Sequence, residues 1–552
     1  MNKTYRIVWS DARKAFVVAD ERAKAKGKPS SSRKAAGQAV IAALLALGGA
    51  GQALAGGGNA ALPTNGVVAA GTAAIGVNGN AMTVNQATQS AIINWGTFNI
   101  GSAASVDFVQ PNSSATALNR VLSANPSQIY GSLISNGTVF LVNPQGIVVG
   151  PGAQINVGGL VASSLNLSDA DFLANKFNFH AVGAPGSVSN AGNINVAPGG
   201  FAALLGGQVN NSGLISAKLG SVALASGNQV ALSLDDSGLL SVGVKQSAIN
   251  ALVNNSGAIL ADGGRIVMTA KAANSVLDTV VNNEGILQAS SIGERSGQIW
   301  MLAADPVANT GATGAAANLG KVQNASGGVA SSGTIDVSGN AGATAGQVTI
   351  AGSMVDVSGT VKAGSVTSGG GQVLVNSVQG TTIDSSAVID VSSAAGAGSA
   401  ILWSSGNTAF HGLVDGQGLG AGGHGATVEI SSGKTVAIDG TASLGAQTAA
   451  NAGTLLIDPA TLEIQPGAGT GVGPSYVSQN TLQSESGNIV LSADGQITID
   501  ALTNNVLALS NSVTSFSLTS NNTGGIQFLN AVNGGPSGIS TNNAPVTLTA
   551  SG

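Results

Sequence analysis

The sequence of 552 residues contains no cysteine and few aromatic or charged residues. Without cysteine the chain forms no disulfide bonds, so packing and hydrogen bonds must supply its stability. Charged residues make up 8% of the chain, against about 25% in average soluble domains. The hydrophobic share of 43% excludes disorder driven by charge. Aromatic residues make up 3%, which favours closely stacked strands over a core of large rings.

Proline is scarce as well, with 14 residues, and the 81 glycines follow no three-residue period, which excludes collagen. Charge is divided along the chain. Residues 1–34 hold ten Lys or Arg and three Asp or Glu, whereas the remainder holds ten and twenty-two. A basic leader before an acidic remainder indicates targeting. Because no basic patch follows the leader, we expect no nucleic-acid partner.

Residues 1–55 have the layout of a signal peptide. The basic segment is followed by the short apolar run Ala39–Leu47, and Ala53 and Ala55 form an A-x-A cleavage site before Gly56. The alternative, a membrane anchor, needs about twenty apolar residues, and this run is too short. No later run is long enough to span a bilayer, so we expect no transmembrane segment in the mature chain.

The unusually long basic part of the leader carries a family resemblance. Its first 26 residues, with Tyr5–Ser10 and Phe16–Ala19, resemble the extended signal peptide region of large Gram-negative type V exoproteins. The resemblance implies Sec-dependent passage through the periplasm. It does not separate two-partner exoproteins from autotransporters.

Val139–Ser164 reads as short strands separated by tight turns. The apolar run Val139–Val142 ends at Asn143-Pro144-Gln145-Gly146, and a second break follows at Gly150-Pro151-Gly152. Proline fixes φ and glycine tolerates positive φ, so Asn143–Gly146 is predicted to be a tight turn. Short strands at this spacing form one corner of a coil.

Phrases recur between residues 185 and 432. Val209–Ile215 (VNNSGLI) returns as Val253–Ile259 and Val281–Leu287, and Ile335–Gly339 (IDVSG) returns as Val355–Gly359. Periods of about twenty to forty-five residues with Gly/Asn turns predict a β-solenoid.

In such a solenoid Ile335 and Val337 point inward and Asp336 points outward. Asparagines at equivalent turns stack and share amide hydrogen bonds. The alternative, a globular β-sandwich, usually has more aromatic residues and no repeated phrases.

The stretch Ile92–Phe179 contains ordered motifs: Val106–Val121, Asn125–Gly131, Asn143–Ser164 and Leu165–Asp169. Together they closely resemble the secretion domain of two-partner exoproteins, the filamentous haemagglutinin family. The resemblance implies an all-β fold, a right-handed parallel β-helix with an N-terminal cap, over residues 56–184. It also implies that the POTRA domains of a dedicated outer-membrane transporter recognise the unfolded chain.

Two family motifs appear in altered form. The family's Asn-Pro-Asn-Leu motif appears here as Gln110-Pro111-Asn112-Ser113. Its Asn-Pro-Asn-Gly-Ile motif appears as Asn143-Pro144-Gln145-Gly146-Ile147. Either these motifs contact the transporter or they are turns that only specify the coil. The secretion residues carried over from the family are Gln110, Pro111, Asn112, Asn119, Arg120, Asn143, Pro144, Gln145, Gly146 and Ile147.

Trp95 lies among the few aromatic residues, and we interpret it as packing against the end of the coil instead of stacking on a ligand. Residues 433–552 continue the coil pattern, and Gly453–Leu462 resembles a phrase of large filamentous-haemagglutinin-like adhesins. The pattern runs to Gly552 without a visible cap, translocator barrel or toxin-like domain. We therefore expect a fragment or a blunt end.

Motifs for catalysis or cofactors are missing from the sequence. The three histidines, His180, His411 and His424, have no HExxH or cysteine partners, and we interpret the last two as solvated loop residues. We find no nucleophile elbow and no phosphate-binding loop. The sequence therefore predicts no enzyme, no cofactor and no metal site.

The prediction for function rests on the resemblance. It implies a secreted or surface-exposed adhesin of the filamentous haemagglutinin type, exported by a POTRA-containing transporter and binding a receptor on host or neighbouring cells. Two alternatives stay open at this point. In the first alternative the chain is a β-helical stalk of a contact-dependent inhibition toxin. In the second it is the passenger of an autotransporter.

Overall fold

The structure is a computed structural model, and it describes residues 5–10, 15–20, 58–235, 238–273, 279–303, 325–340, 342–469, 475–521, 524–529 and 537–550. The chain divides into two units, residues 1–56 and 57–552. In the first unit, strand Tyr5–Ser10 pairs antiparallel with Ala15–Asp20. The apolar run of the predicted signal peptide and its cleavage residues Ala53, Ala55 and Gly56 lie outside the described residues.

The second unit is a parallel β-helix, which confirms the predicted fold class. A representative coil consists of three strands, Ser132–Ser135, Thr138–Val142 and Ile147–Val149. Each strand pairs in parallel with its counterpart one coil earlier and one coil later. The coil therefore has three faces, which we call the first, second and third ladders in that order.

The first ladder begins with an antiparallel pair and continues in parallel. Its strands are Ala73–Asn78, Ala81–Gln86, Ser105–Val109, Ser132–Ser135, Gln154–Val157, Asn193–Val196, Leu214–Ser216, Ala258–Leu260, Ile286–Gln288, Thr334–Asp336, Thr360–Lys362, Val388–Asp390, Leu413–Asp415 and Thr441–Ser443.

The second ladder runs along the whole unit, and two of its strands bend at a corner and continue into the third ladder. Its strands are Val67–Ala70, Ser90–Trp95, Thr116–Val121, Thr138–Val142, Gly159–Ser163, Phe201–Gly206, Ser221–Ser226, Arg265–Ala270, Gln298–Leu302, Gln347–Val357, Gln372–Ile383, Ser399–Ser404, Thr427–Ser432, Thr454–Asp458, Gly487–Ala493, Val513–Ser520 and Val546–Ala550.

The third ladder also takes in the second halves of Gln347–Val357 and Gln372–Ile383. Its other strands, in spatial order, are Ser127–Ile129, Ile147–Val149, Ser187–Asn190, Gln208–Asn211, Leu252–Asn255, Thr279–Asn283, Gly328–Ser331, Asn407–Phe410, Thr435–Ile438, Tyr476–Ser478, Leu462–Gln465, Ile497–Ile499 and Ile526–Phe528.

A few elements lie outside the ladders. Three strands form an antiparallel sheet, Phe177–His180, Gln229–Leu234 and Leu240–Gln246. Val506–Ala508 pairs with Gly538–Ser540. Within the described ranges the helices are Asp169–Leu173 and Gln479–Ser484, with short 3₁₀ turns at Ala449–Asn451 and Thr503–Asn505. Neither helix, nor any other helix in the described ranges, is long and apolar enough to cross a membrane.

The interior follows the predicted alternation. Ile335 and Val337 are fully buried, whereas Asp336 between them faces outward. Small and branched side chains of neighbouring coils stack into one continuous core along the axis. One coil cannot bury its own inner face, so each coil is stabilised by its neighbours.

The predicted stack of asparagines is confirmed at the corner after the third ladder. The amide of Asn190 donates to Asn211, that of Asn211 to Asn255, and that of Asn255 to Asn283, each over 2.8 Å. The stack ends where Asn283 donates to the Ser331 hydroxyl at 3.3 Å. All four asparagines are buried, so each supplies the partner that the next amide needs.

An N-terminal cap closes the first coil. Val67–Ala70 lies antiparallel to Ser90–Trp95, and Ala73–Asn78 lies antiparallel to Ala81–Gln86. Trp95 is buried beneath this cap and meets Phe98 edge to face, with ring centroids 5.5 Å apart. The interpretation of Trp95 as a packing residue is confirmed.

Candidate functional site

The motif Asn143–Ile147 lies at the corner between the second and third ladders. The Gly146 N–H donates to the Asn143 carbonyl at 2.9 Å, which closes the predicted tight turn. Gly146 has φ of +115°, and a Cβ there would lie 2.6 Å from the Ser187 carbonyl oxygen of the next coil. Glycine is therefore required both by the backbone angle and by the close approach of the next coil.

The Asn143 side chain holds this corner from inside. It is fully buried, and its amide donates to the Asn125 carbonyl at 3.1 Å and to the Ser127 hydroxyl at 3.0 Å. Its oxygen accepts the N–H of Gln145 at 3.0 Å. Ile147 is buried in the core, whereas the Gln145 side chain is exposed and Pro144 is half-buried. Gln145 is therefore the residue of this motif that a partner could reach in the folded protein.

The motif Gln110–Asn112 lies at a different corner, between the first and second ladders. Gln110 is buried and donates to the Gln86 side chain at 3.1 Å, while it accepts the Ser135 hydroxyl at 2.6 Å. Pro111 and Asn112 are exposed. The longer side chain that replaces the family's asparagine is thus used inside the coil.

Asn119 and Arg120 lie on the second ladder between these corners, paired with Leu141 and Val142. Asn119 is fully buried and accepts the Trp95 indole N–H at 2.9 Å. The Arg120 guanidinium donates to the Leu167 carbonyl at 2.7 Å and forms an ion pair with Asp169 at 2.6 Å. Asn119 therefore supports the cap, and Arg120 fastens the segment that leads into helix Asp169–Leu173.

That helix belongs to an outer lobe, which we define as residues 164–186, 227–235 and 238–251. Ser168 is the N-cap of this helix, and its hydroxyl accepts the Asp171 N–H at 3.1 Å. The antiparallel sheet of the lobe lies over the outer face of the second ladder and forms a second hydrophobic core with it. Phe140 of the ladder meets Phe172 of the helix edge to face, with centroids 5.4 Å apart.

Sequence reasoning missed this lobe, although a signal was present. Strands Thr138–Val142 and Gly159–Ser163 consist almost entirely of apolar residues instead of alternating with polar ones. A strand without alternation is buried on both faces. The outward column Leu118, Phe140, Val161 and Ala203 is indeed fully or almost fully buried.

The structure thus brings some of the predicted secretion residues together and separates others. Asn119 and Arg120 lie one coil before the strand that leads into Asn143. The exposed residues Asn112 and Gln145 lie at different corners of the coil. In the folded protein these residues do not form a single surface.

Burial changes the ionisation of several carboxyl groups in the C-terminal coils. It raises the pKa of Glu485 well above the usual range, opposed by the hydrogen bond from the Ala442 N–H. Burial also raises the pKa of Glu429, with the Ser431 hydroxyl acting in the opposite direction and the Asp458 charge adding to the rise.

The histidines lie apart from one another in the fold. His180 ends a strand of the outer lobe, and His424 is exposed in a loop. His411 bonds through Nδ1 to Asp439 of the next coil. Among the residues that the structure describes, no cluster of three His, Cys, Asp or Glu side chains could hold a metal ion.

Comparison with known proteins places these features in a family. Residues 59–324 match the TPS secretion domain, and residues 1–50 match the Extended Signal Peptide of Type V secretion system. The first match covers coils on both sides of residue 184, and the predicted domain boundaries stay predictions.

Two similar proteins are named heme/hemopexin-binding protein. The one from Haemophilus influenzae strain Rd is 34% identical over 255 residues, which cover 45% of this chain and 28% of the relative. A second Haemophilus influenzae protein is 32% identical over 247 residues, covering 41% of this chain and 26% of the relative. The chain thus spans little more than a quarter of the length of these relatives.

The fold is similar to the crystal structure of the HMW1 secretion domain from Haemophilus influenzae. The TM-score is 0.57 at 26% sequence identity, and the alignment covers 75% of this chain and 98% of the other. A signal of the type V class, a capped parallel β-helix and the ordered secretion motifs therefore occur in one chain. The signal directs Sec-dependent export and the secretion domain directs release at the cell surface. The chain thus carries the extended signal peptide and the secretion domain of two-partner secretion exoproteins.

Proposed function

We propose that this protein is an adhesin that leaves the cell through a POTRA-containing outer-membrane transporter and binds a receptor on another cell. The observation that carries the proposal is the match of residues 59–324 to the TPS secretion domain, followed by further coils to residue 550. The secretion domain addresses the chain to its transporter. The coils behind it present a long side-chain surface to other cells.

The architecture suits a chain that folds after export. Each coil pairs with the coil directly before it, so every newly emerged segment finds a preformed edge. The cap over Trp95 supplies the first such edge, because its strands Ala73–Asn78 and Ala81–Gln86 pair with each other. A chain without cysteine also cannot be locked by a disulfide before it crosses the outer membrane.

The secretion residues divide into two groups in this proposal. Gln110, Asn119, Asn143, Gly146 and Ile147 are buried and set the coil geometry. Pro111, Asn112 and Gln145 are exposed. Pro144 and Arg120 are half-buried, so their exposure is intermediate between the two groups. Because the transporter meets an unfolded chain, both groups are accessible at that stage, and only their later roles differ.

The similar proteins support a binding role. The matching family model and the similar solved structure are secretion domains, and the similar proteins are named for binding. The relatives are named for heme and hemopexin binding, but most of their length lies outside the match. We therefore propose no heme site here and infer only a surface-binding role.

The direct test is export of a chain that lacks Ile92–Ser164. Cells that carry the partner transporter should release the full chain and retain the deletion variant in the periplasm. A matched control removes the two coils 334–387, after which Ile286–Gln288 can pair with Val388–Asp390 in the same ladder. Normal release of the variant without Ile92–Ser164 would refute the secretion role. Failure of the released full chain to bind cells would refute the adhesin role.

A further inference from the structure

A shallow groove runs along the outer face of the second ladder, just beyond the outer lobe. Its lining includes Ser296, Gln298, Gly346, Gln347, Gly371 and Gln372. Gln298, Gln347 and Gln372 are direct partners in successive coils, so their side chains form one column parallel to the axis. The spacing along this column is one coil, about 4.8 Å.

The floor of the groove is bare backbone. Gly346 and Gly371 stand directly before Gln347 and Gln372, and a Cβ at either glycine would lie 2.1 Å from the carbonyl oxygen of the preceding coil's glycine. Side chains are therefore excluded here by the packing of the coils. The column of glutamines becomes the wall of a channel whose floor a ligand can approach closely.

The hydrogen bonds along the glutamine column have a break. Arg265 Nε donates to Gln298 Oε1 at 2.7 Å, and Gln347 Nε2 donates to Gln372 Oε1 at 2.9 Å. Between Gln298 and Gln347, which are register partners, the described contacts include no side-chain hydrogen bond. The Gln298 amide N–H and the Gln347 amide oxygen thus remain available on either side of the break.

The lining selects among classes of ligand. It contains no charged side chain, and the Arg265 charge at one end is balanced by Asp235 at 2.7 Å. Anions and cations therefore find no counter-charge in the groove. An extended peptide finds no free strand edge, because Gln298–Leu302 and Gln347–Val357 are paired on both sides.

A hydroxyl group fits the break, since it donates and accepts at once. We propose that the groove binds a neutral oligosaccharide, with one hydroxyl bridging the Gln298 amide and the Gln347 oxygen. A sugar unit of an extended glycan is similar in length to one coil spacing, so successive units meet successive glutamines. Trp300 lies two residues from Gln298 on the same face, half-buried, with the Arg265 guanidinium 4.5 Å from its ring centre. Trp300 is therefore close enough to the groove for its fluorescence to report on a bound ligand.

This inference rests on the proposed adhesin function and names the chemical class of its ligand. The test is calorimetric titration of the secreted full chain with the neutral hexasaccharides mannohexaose, maltohexaose and cellohexaose, and with a heparin hexasaccharide for comparison. Gln347→Ala and Gln298→Ala should each weaken neutral glycan binding about tenfold, since each removes one bridging hydrogen bond. Gln154→Ala, a half-buried glutamine on the first ladder, is the matched control and should bind normally.

A second readout reports on the groove itself. Glycan binding should change the tryptophan fluorescence of the full chain, and the change should disappear in Trp300→Phe. Absence of binding by all three neutral glycans at millimolar concentration, or binding of the heparin fragment alone, would overturn the proposal. Equal binding by Gln347→Ala and the unaltered chain would do so as well. A chain that is released and adheres to cells but fails these titrations would leave the proposed function standing and refute the glycan groove.

Discussion

The Glu485 carboxyl group accepts the backbone N–H of Ala442 through both oxygens, at 3.1 and 3.0 Å. Ala442 lies in Thr441–Ser443, the last described strand of the first ladder, so no further strand among the described residues of that ladder receives its N–H. The Ser486 hydroxyl accepts the N–H of Leu444 at 2.8 Å in the same way. Two side chains thus satisfy the edge of a ladder where its next strand is missing.

Glu485 is expected to make stability depend on pH. Its folded-state pKa is raised well above 4.5 by burial, so its contribution is complete below the unfolded pKa and is lost as the pH rises through the folded value. Glu485→Gln keeps an oxygen for Ala442 and carries no charge. Thermal unfolding followed by circular dichroism should therefore show a higher Tm for this variant at pH 8 and an equal Tm at pH 4.

The control for this prediction is Glu294→Gln, which changes an exposed carboxylate. Its Tm should follow that of the unaltered chain at both pH values. If Glu485→Gln were less stable than the unaltered chain at pH 8, the buried carboxyl group would be contributing as an anion, and the argument would be wrong.

Removing one member of the asparagine stack should destabilise several coils. Asn255→Ala deletes the bond from Asn211 and the bond to Asn283, and it leaves both neighbours with unsatisfied buried groups. Each such group costs about 1–3 kcal/mol. Urea unfolding should show a loss of about 2–4 kcal/mol. Asn254→Ala, the neighbouring outward-facing residue, should lose less than half as much. Equal losses would mean that burial of the stack adds nothing.

Arg120 and Asp169 should differ in their importance for the outer lobe. The ion pair involves Asp169, which is 53% exposed, and exposed pairs contribute about 0–1 kcal/mol. The bond from Arg120 to the Leu167 carbonyl is partly buried, and its backbone acceptor is left in place by a change at Asp169. Asp169→Asn should therefore leave the lobe resistant to limited proteolysis, whereas Arg120→Ala should open residues 164–186 to cleavage. Similar cleavage of both variants would mean that the ion pair with Asp169 holds the lobe in place, and not the hydrogen bond to Leu167.

Gln110 and Gln145 offer a separation of folding from secretion. Gln110→Ala leaves Gln86 and Ser135 without their shared partner, so its unfolding free energy should fall by about 1–3 kcal/mol. Gln145→Ala changes an exposed side chain and should leave Tm unchanged. If the turn contacts the transporter, Gln145→Ala should still reduce the amount of chain in the medium. Unchanged release would assign the motif to the turn alone.

The coils and their corners were predictable because their causes are local. The tight turn at Asn143–Gly146 follows from proline and glycine at fixed positions, and the phrase VNNSG places Asn211 and Asn255 at equivalent corners. Equivalent positions of successive repeats make equivalent contacts, so the structure of one coil predicts that of the next. The inward side chains Ile335 and Val337 follow from simple alternation.

Other features depend on contacts distant in sequence. The outer lobe brings Phe172, Phe140 and Val230 into one hydrophobic core although they are distant in sequence, and no local pattern predicts which segment covers which face. The strand Tyr476–Ser478 inserts between Thr435–Ile438 and Leu462–Gln465, although it follows both in the chain. Sequence order alone predicts the opposite arrangement. The roles of Gln110 and Arg120 also became clear only from partners that lie 24 to 47 residues away.

Both segments of the outer lobe leave the coil at the same corner, after Ser163 and after Ser226, and the coil resumes in register at Ser187 and Leu252. The strands of the ladders therefore pair in the same register whatever segment is inserted between the exit and the return of the chain. That corner therefore serves as a natural insertion site for cargo. A foreign peptide or small domain placed there should be displayed outside the coils while the coils before and after it stack unchanged.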